Sequence, residues 1–344
     1  MKLTQLLFSL AFILTITSVK AQTFNSAIDY LNFVGEEQTE VTKSMWKYTK
    51  AVAHSKKDNK INKLREQLLK QVAESKKNIS KANGFDGNDF KNEVLKLVNI
   101  NESMLKQDYA QIIDMKAVAE QSYDLMEAYI IAQEMAEVKM AEAQAEYEKN
   151  FLTFAGKHNI NIIENDSDLS KKMIKSNEVF SYSNKLYLVF FKVYINEIYL
   201  NEAIEKKDVS GIQQNANALN SAATEGLEIL KTYEDFETDK SLILATKKVF
   251  EYQIEMTSKD IPNIMDFYIV NEDFETIKKT LENTAQNKRT KEQIDAYNKK
   301  VKDINTAVNK YNATNQSINK KSQQVYEQYN TTKDKFIDSH VPND

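Results

Sequence analysis

Towards the end of the chain, Ile294, Tyr297, Val301, Ile304, Val308, Tyr311, Asn315, Ile318, Ser322, Val325, Tyr329, Thr332 and Phe336 recur at alternating steps of three and four. This heptad seam is held for six heptads and predicts one helix. At the usual rise it would be roughly 65 Å long. Asn315 and Ser322 stand on the seam, where a polar residue fixes register and partner at some cost in stability. A second stripe, Met115, Val118, Ser122, Leu125, Tyr129, Ala132, Ala136 and Met140, predicts a helix from about Met115 to Lys157. The Ala-, Glu- and Met-rich stretch from Ala132 to Glu148 favours it further.

The remaining apolar patterns come in pairs. Helices are predicted over 26–56 and 176–207, over 60–81 and 210–233, and over 88–112 and 239–259. A shift of 151 or 152 aligns Tyr30 with Tyr182, Asn32 with Asn184, Ile61 with Ile212, Leu68 with Leu219, Phe85 with Phe236 and Asp114 with Asp266. A shift of 182 aligns Tyr129 with Tyr311, Tyr147 with Tyr329, Phe154 with Phe336 and His158 with His340. The chain therefore reads as all-α, two tandem duplicated antiparallel helical-bundle units with long coiled-coil-like helices. Unit boundaries fall at 22–158 and 176–344, with 159–175 as linker. The change of shift places about 30 extra residues near 268–296. They read as a short helix from Glu272 to Thr284, a turn at Gln286-Asn287-Lys288, and an extension of the last helix. Asn83 to Asn88 reads as a turn and cap, and Pro262 should end or kink its helix.

One segment breaks the amphipathic rule. Leu186 to Leu200 is apolar nearly all round, so it is expected to be buried on every side, central and packed against both copies. The aromatic stripe of Tyr182, just before it, and Tyr187, Phe190, Phe191, Tyr194 and Tyr199 within it supplies the candidate ligand or interface residues. Tyrosine offers a flat apolar face with a polar tip, which suits a hydrophobic or glycan ligand as well as a core.

Composition supports the helical reading. Six glycines and two prolines in 344 residues are too few for sheets joined by tight turns. There are no cysteines, so two units must rely on apolar burial. The net charge of -4 gives no reason to expect nucleic acid. Arginine stands only at Arg65 and Arg289, which supplies little bidentate anion recognition. At the start, Lys2, the apolar run Leu6 to Ile16 and the small-x-small end Val19-Lys20-Ala21 form a secretory signal over 1–21. With no cysteine after it, a Cys-anchored lipoprotein is not expected.

Catalytic constellations do not emerge from the spacing. A carboxylate-bridged di-iron bundle needs Glu-x-x-His, but Ala51, Ala155 and Ile337 stand three before His54, His158 and His340. No His-Glu-x-x-His run, nucleophile elbow or Gly-rich phosphate loop occurs. His158 and His340 fit helix C-termini, where a cation is favoured. Asp86-Gly87-Asn88-Asp89 and Asn165-Asp166-Ser167-Asp168 lack the calcium-loop order and read as caps. We therefore expect no enzyme activity, no cofactor and no metal.

The signal ending Val19-Lys20-Ala21-Gln22, the Tyr30-Leu31-Asn32 near the mature start, and the Phe-x-x-x-His ends at Phe154 to His158 and Phe336 to His340 carry a resemblance. The chain resembles exported proteins of the Bacteroidota and uncharacterised helical surface-protein families of Gram-negative bacteria. That resemblance implies a periplasmic, outer-membrane-surface or extracellular location and transfers no site. The expected function is binding or scaffolding at the cell envelope, with a protein, glycan or lipid as partner. The seam 294–336 is expected to pair inside the chain or with a second copy. The alternative is a membrane-active protein using 186–200, although Lys192, Asn196 and Glu197 interrupt that segment.

Overall fold

The computed structural model describes residues 24–108, 119–162 and 167–343. The proposed signal therefore lies outside the described residues, as do Met115, Val118 and Asp166. The fold is all-α, and no strand occurs among the described residues. In chain order the helices are α1 (Ala27–His54), α2 (Asp58–Lys81), α3 (Asp89–Ser103), α4 (Tyr123–Lys157), α5 (Asp168–Glu205), α6 (Val209–Leu230), α7 (Ser241–Glu255), α8 (Ile261–Glu282) and α9 (Lys291–His340). Five-residue π turns follow α3 (Met104–Asp108) and α7 (Met256–Asp260).

Contacts divide the chain into two compact units. Unit 1 runs to Lys185 and includes Lys335 onwards; unit 2 is Leu186–Asp334. α5 and α9 contribute residues to both.

In unit 1, α1 packs on α2, α2 on α3, and α3 on α4. Ser26 starts α1 by accepting a hydrogen bond from the Asp29 N–H at 3.2 Å. Leu31, Val34, Met45 and Trp46 of α1 are buried, with Leu68, Val72 and Ile79 of α2 and Val94 of α3. One end of the unit is aromatic: the rings of Phe90 and Phe154 stack at 4.7 Å, and Tyr30 lies 5.9 Å from Phe154. The turn between α2 and α3 depends on Gly84, because a Cβ there would lie 2.0 Å from the Gly87 carbonyl oxygen. The expected Asn88 cap makes no side-chain bond; instead Lys91 Nζ donates to the Ala82 and Ser80 carbonyls at 2.6 and 2.8 Å.

The helix expected from Met115 does not run unbroken into α4. Ser122 is extended and accepts a hydrogen bond from the Leu125 N–H at 3.3 Å, so α4 starts afresh at Tyr123. At the new start Met126 is buried in place of Leu125, which is 41% exposed, while Tyr129, Ala136 and Met140 of the expected stripe are buried. Capping has overridden a periodicity that continued across the break.

In unit 2, α6 packs on α7 through Gly226, where a Cβ would stand 2.6 Å from Phe250 Cε2. α9 lies along α7 and α8. Tyr252 donates to the Ile318 carbonyl at 3.2 Å, Phe267 meets Tyr311 at 4.3 Å, and Phe274 meets Tyr297 at 5.9 Å. Pro262 stands in the first turn of α8, where its missing N–H costs little, and the π turn precedes it without a chain reversal. The short helix expected from Glu272 is therefore the far part of α8. Nothing between Asn263 and Glu282 breaks it, and its stripe continues along α9.

The bounds of two helix pairs recur between the two halves of the chain, while the starts of α1 and α5 and of α4 and α9 do not keep the shifts. α3 and α7 both have 15 residues, start 152 positions apart, and each runs into a five-residue π turn beginning at Met104 or Met256. α2 and α6 start 151 positions apart. Two side-chain contacts recur as well. Tyr30 meets Phe154 at 5.9 Å and Tyr182 meets Phe336 at 5.7 Å, while Phe154 meets His158 at 4.6 Å and Phe336 meets His340 at 4.7 Å.

Candidate functional site

The aromatic candidates on α5 do not share one environment. Tyr182 is half-buried against Phe336 in unit 1. In unit 2, Phe191 is buried, and Phe190 lies flat on Tyr329 with centroids 4.1 Å apart and planes 4° from parallel. Tyr187 is half-buried under Lys333, whose Nζ sits 5.3 Å from its ring centroid. Tyr194 and Tyr199 are 36% and 37% exposed. The segment is thus apolar core on one side and a phenol-bearing edge on the other, and the expectation of burial on every side is corrected. An α-helix this rich in tyrosine can place hydroxyls in water while its ring faces pack.

Beside that core stands a polar cluster that local sequence pattern does not announce. Glu197 of α5 is 7% exposed and accepts a hydrogen bond from the Tyr326 hydroxyl of α9. Gln253 of α7 is fully buried and its Nε2 donates to Tyr326 Oη at 3.0 Å. Its Oε1 has no hydrogen-bond partner. Thr257 donates to the Gln253 carbonyl at 2.8 Å and accepts from Asn220 Nδ2 at 2.7 Å, which ties α6 to the π turn. Burial pushes the Glu197 carboxyl above the ordinary glutamate range, against the Tyr326 and Gln253 hydrogen bonds that hold it down. Burial, then the Glu197 charge, raises the phenols of Tyr326 and Tyr252. The one available signal was that any carboxylate inside a helix apolar all round must find partners.

All three histidines stand at helix C-terminal ends. His54 Nδ1 lies 2.7 Å from Asp338 Oδ1, its Nε2 lies 3.3 Å from the Pro342 carbonyl, and Lys50 donates to the Asn343 carbonyl at 3.1 Å. These contacts hold the chain end on α1. His158 and His340 stand at the C-terminal ends of α4 and α9. Asp86 is paired with Lys157 at 2.7 Å, and that hydrogen bond leads the causes holding its carboxyl below the usual range. Among the described residues, no three His, Asp or Glu side chains are grouped to hold a metal ion.

Concavities occur in both units among the described residues. A cavity of about 20 Å³ in unit 1, room for one water, is lined by Gln38, Thr42, Val72, Ser75, Val98 and neighbours. A groove of about 560 Å³ in unit 2 runs beside α8, lined by Lys207, Tyr268, Glu272, Glu275, Lys279 and neighbours. Neither includes the α5 tyrosines. Comparison with protein-family models, with curated proteins and with solved structures gave no match.

Proposed function

We propose that this is an exported, non-enzymatic helical protein that binds or scaffolds at the cell envelope, built from two copies of one helical unit. The shared 15-residue length of α3 and α7, their π turns and the Tyr-Phe-His contacts support the copying. The limb formed by the far part of α8 and the start of α9 carries the functional reading. From Ile269 to Asp303 no residue is buried, although Val270, Phe274, Ile277 and Leu281 face the same way. Asp273 and Lys300 pair across it at 2.8 Å. Two helices cover only one face of each other, and a third helix laid on such a seam completes its burial. The first copy has no counterpart to these residues by sequence, so the limb is where a partner-specific role was added.

Replacing 271–302 by a short turn should abolish binding of the purified chain to Gram-negative envelope fractions. Helicity of the remainder and the Trp46 fluorescence should be kept. Undiminished binding by the shortened chain would refute the role of the limb. The membrane-active alternative has less support: 186–200 would have to give up the Phe190–Tyr329 stack, and no described helix is long and apolar enough to cross a membrane. Leakage from liposomes at any pH would revive it.

A further inference from the structure

We propose that unit 2 carries a proton-operated latch, in which Glu197 takes up one proton to tighten the junction of α5, α7 and α9 and releases it to loosen that junction. Three observations carry this. Glu197 is a carboxyl group at 7% exposure, on helices whose buried side chains include Phe190, Leu200 and Val249. Its hydrogen-bond donor is the Tyr326 hydroxyl, which in turn accepts from the Gln253 amide at 3.0 Å, and neither group is positive. Beside them, Gln253 Oε1 is a buried acceptor with no donor.

The surrounding charges are engaged elsewhere. On α5, Lys192 faces Glu225 of α6 at 2.9 Å. On α9, Lys321 faces Glu255 of α7 at 3.2 Å, and Lys259 of the π turn faces the same carboxylate at 3.6 Å. Tyr194 of α5 stands edge-on to Tyr326 at 6.0 Å, and burial, then the Glu197 charge, raises the Tyr252 phenol of α7. An ionised Glu197 is therefore a buried charge held by hydrogen bonds alone.

Protonation changes the inventory of donors. A carboxylate only accepts; a carboxylic acid also donates one O–H. A half-turn of the Gln253 amide gives up the Nε2 bond to Tyr326 Oη and sets Oε1 there instead; the new O–H then donates to the Tyr326 oxygen and the Tyr326 O–H to Gln253 Oε1, so both bonds at the phenol persist with their directions reversed. The folded group binds its proton more tightly than the unfolded one, because burial raises its folded value. Its contribution to stability is then full below the ordinary glutamate range and is lost as pH rises through the raised folded value.

The test is side-chain carboxyl titration by carbon-detected NMR together with amide hydrogen exchange, on the full chain as wild type, Glu197→Gln and Tyr326→Phe. In the wild type, Glu197 should titrate above the exposed glutamates, with the Gln253 side-chain amide signals moving in step. Exchange around Gln253 and Tyr326 should accelerate over the same pH range beyond its chemical dependence. Glu197→Gln should remove that dependence, and Tyr326→Phe should move the titration higher by deleting a donor to the ionised form. The latch is overturned by Glu197 titrating with the exposed carboxyls, by Gln253 signals indifferent to it, or by an unchanged pH dependence in Glu197→Gln.

Discussion

Tyr329→Ala should destabilise unit 2 by about 4 kcal/mol, the range for deleting a large buried ring. Tyr329 is 2% exposed and its ring lies parallel to Phe190 at 4.1 Å. The truncation removes the transfer contribution of the ring, leaves a void under Phe190, and forfeits a stacked pair worth about 1 kcal/mol more. Burial pushes the Tyr329 phenol far up, so no compensating ionisation is gained near neutral pH. Urea unfolding followed by far-ultraviolet circular dichroism checks the prediction. Trp46 is the sole tryptophan and lies in unit 1, so its fluorescence follows that unit separately. An unshifted dichroism midpoint would show that the stack contributes little.

Gly226→Ser should destabilise unit 2 by about 2 kcal/mol, although serine is the better helix former by a few tenths. The new Cβ would stand 2.6 Å from Phe250 Cε2, and Phe250 is fully buried and has no open space to retreat into. Overpacking forces off-rotamer side chains or a shift of α6 away from α7. The corresponding residues in unit 1, at the shifts found in the sequence, are Ser75 and Val98. There the smaller valine leaves space for a side chain on α2, and Ser75 Oγ donates to the Glu37 carbonyl at 3.2 Å. The cavity of about 20 Å³ in unit 1 is lined by Ser75 and Val98 among others. On the proposed copying, the two sites divide the volume oppositely, glycine with phenylalanine in unit 2 and serine with valine in unit 1. Chemical denaturation of Gly226→Ser alone and combined with Phe250→Val measures it, and the second change should relieve the clash created by the first.

The sequence made the helical class legible because its signals are local and repeated. The seam at Tyr311, Tyr329 and Phe336 locates α9, and the turn at Gln286 to Lys288 locates the tip of the limb. The paired patterns anticipated helices that start 151 and 152 positions apart. What it missed depends on competition or distance. Ser122 caps α4 although the apolar stripe runs on past it, and only the three-dimensional packing decides that Met126 rather than Leu125 turns inward. The continuity of α8 was hidden by Pro262, which marks a boundary in most helices but stands here in a first turn after a π turn. The cluster at Glu197 joins residues from three helices, with Tyr326 129 positions away. No window along the chain brings them together. The α5 tyrosines were legible as a stripe, but which of them packs and which meets water was set by α9.

Positional equivalence between the two sets of helices is the central claim, and reciprocal exchange of one packed pair tests it most directly. Unit 2 would receive Gly226→Ser with Phe250→Val, unit 1 would receive Ser75→Gly with Val98→Phe, and the four single variants would be measured beside them. If these positions are copies, each double variant will be more stable than its two singles predict, by a coupling of about 1–2 kcal/mol as for residues in contact. Strict additivity in both units would contradict it.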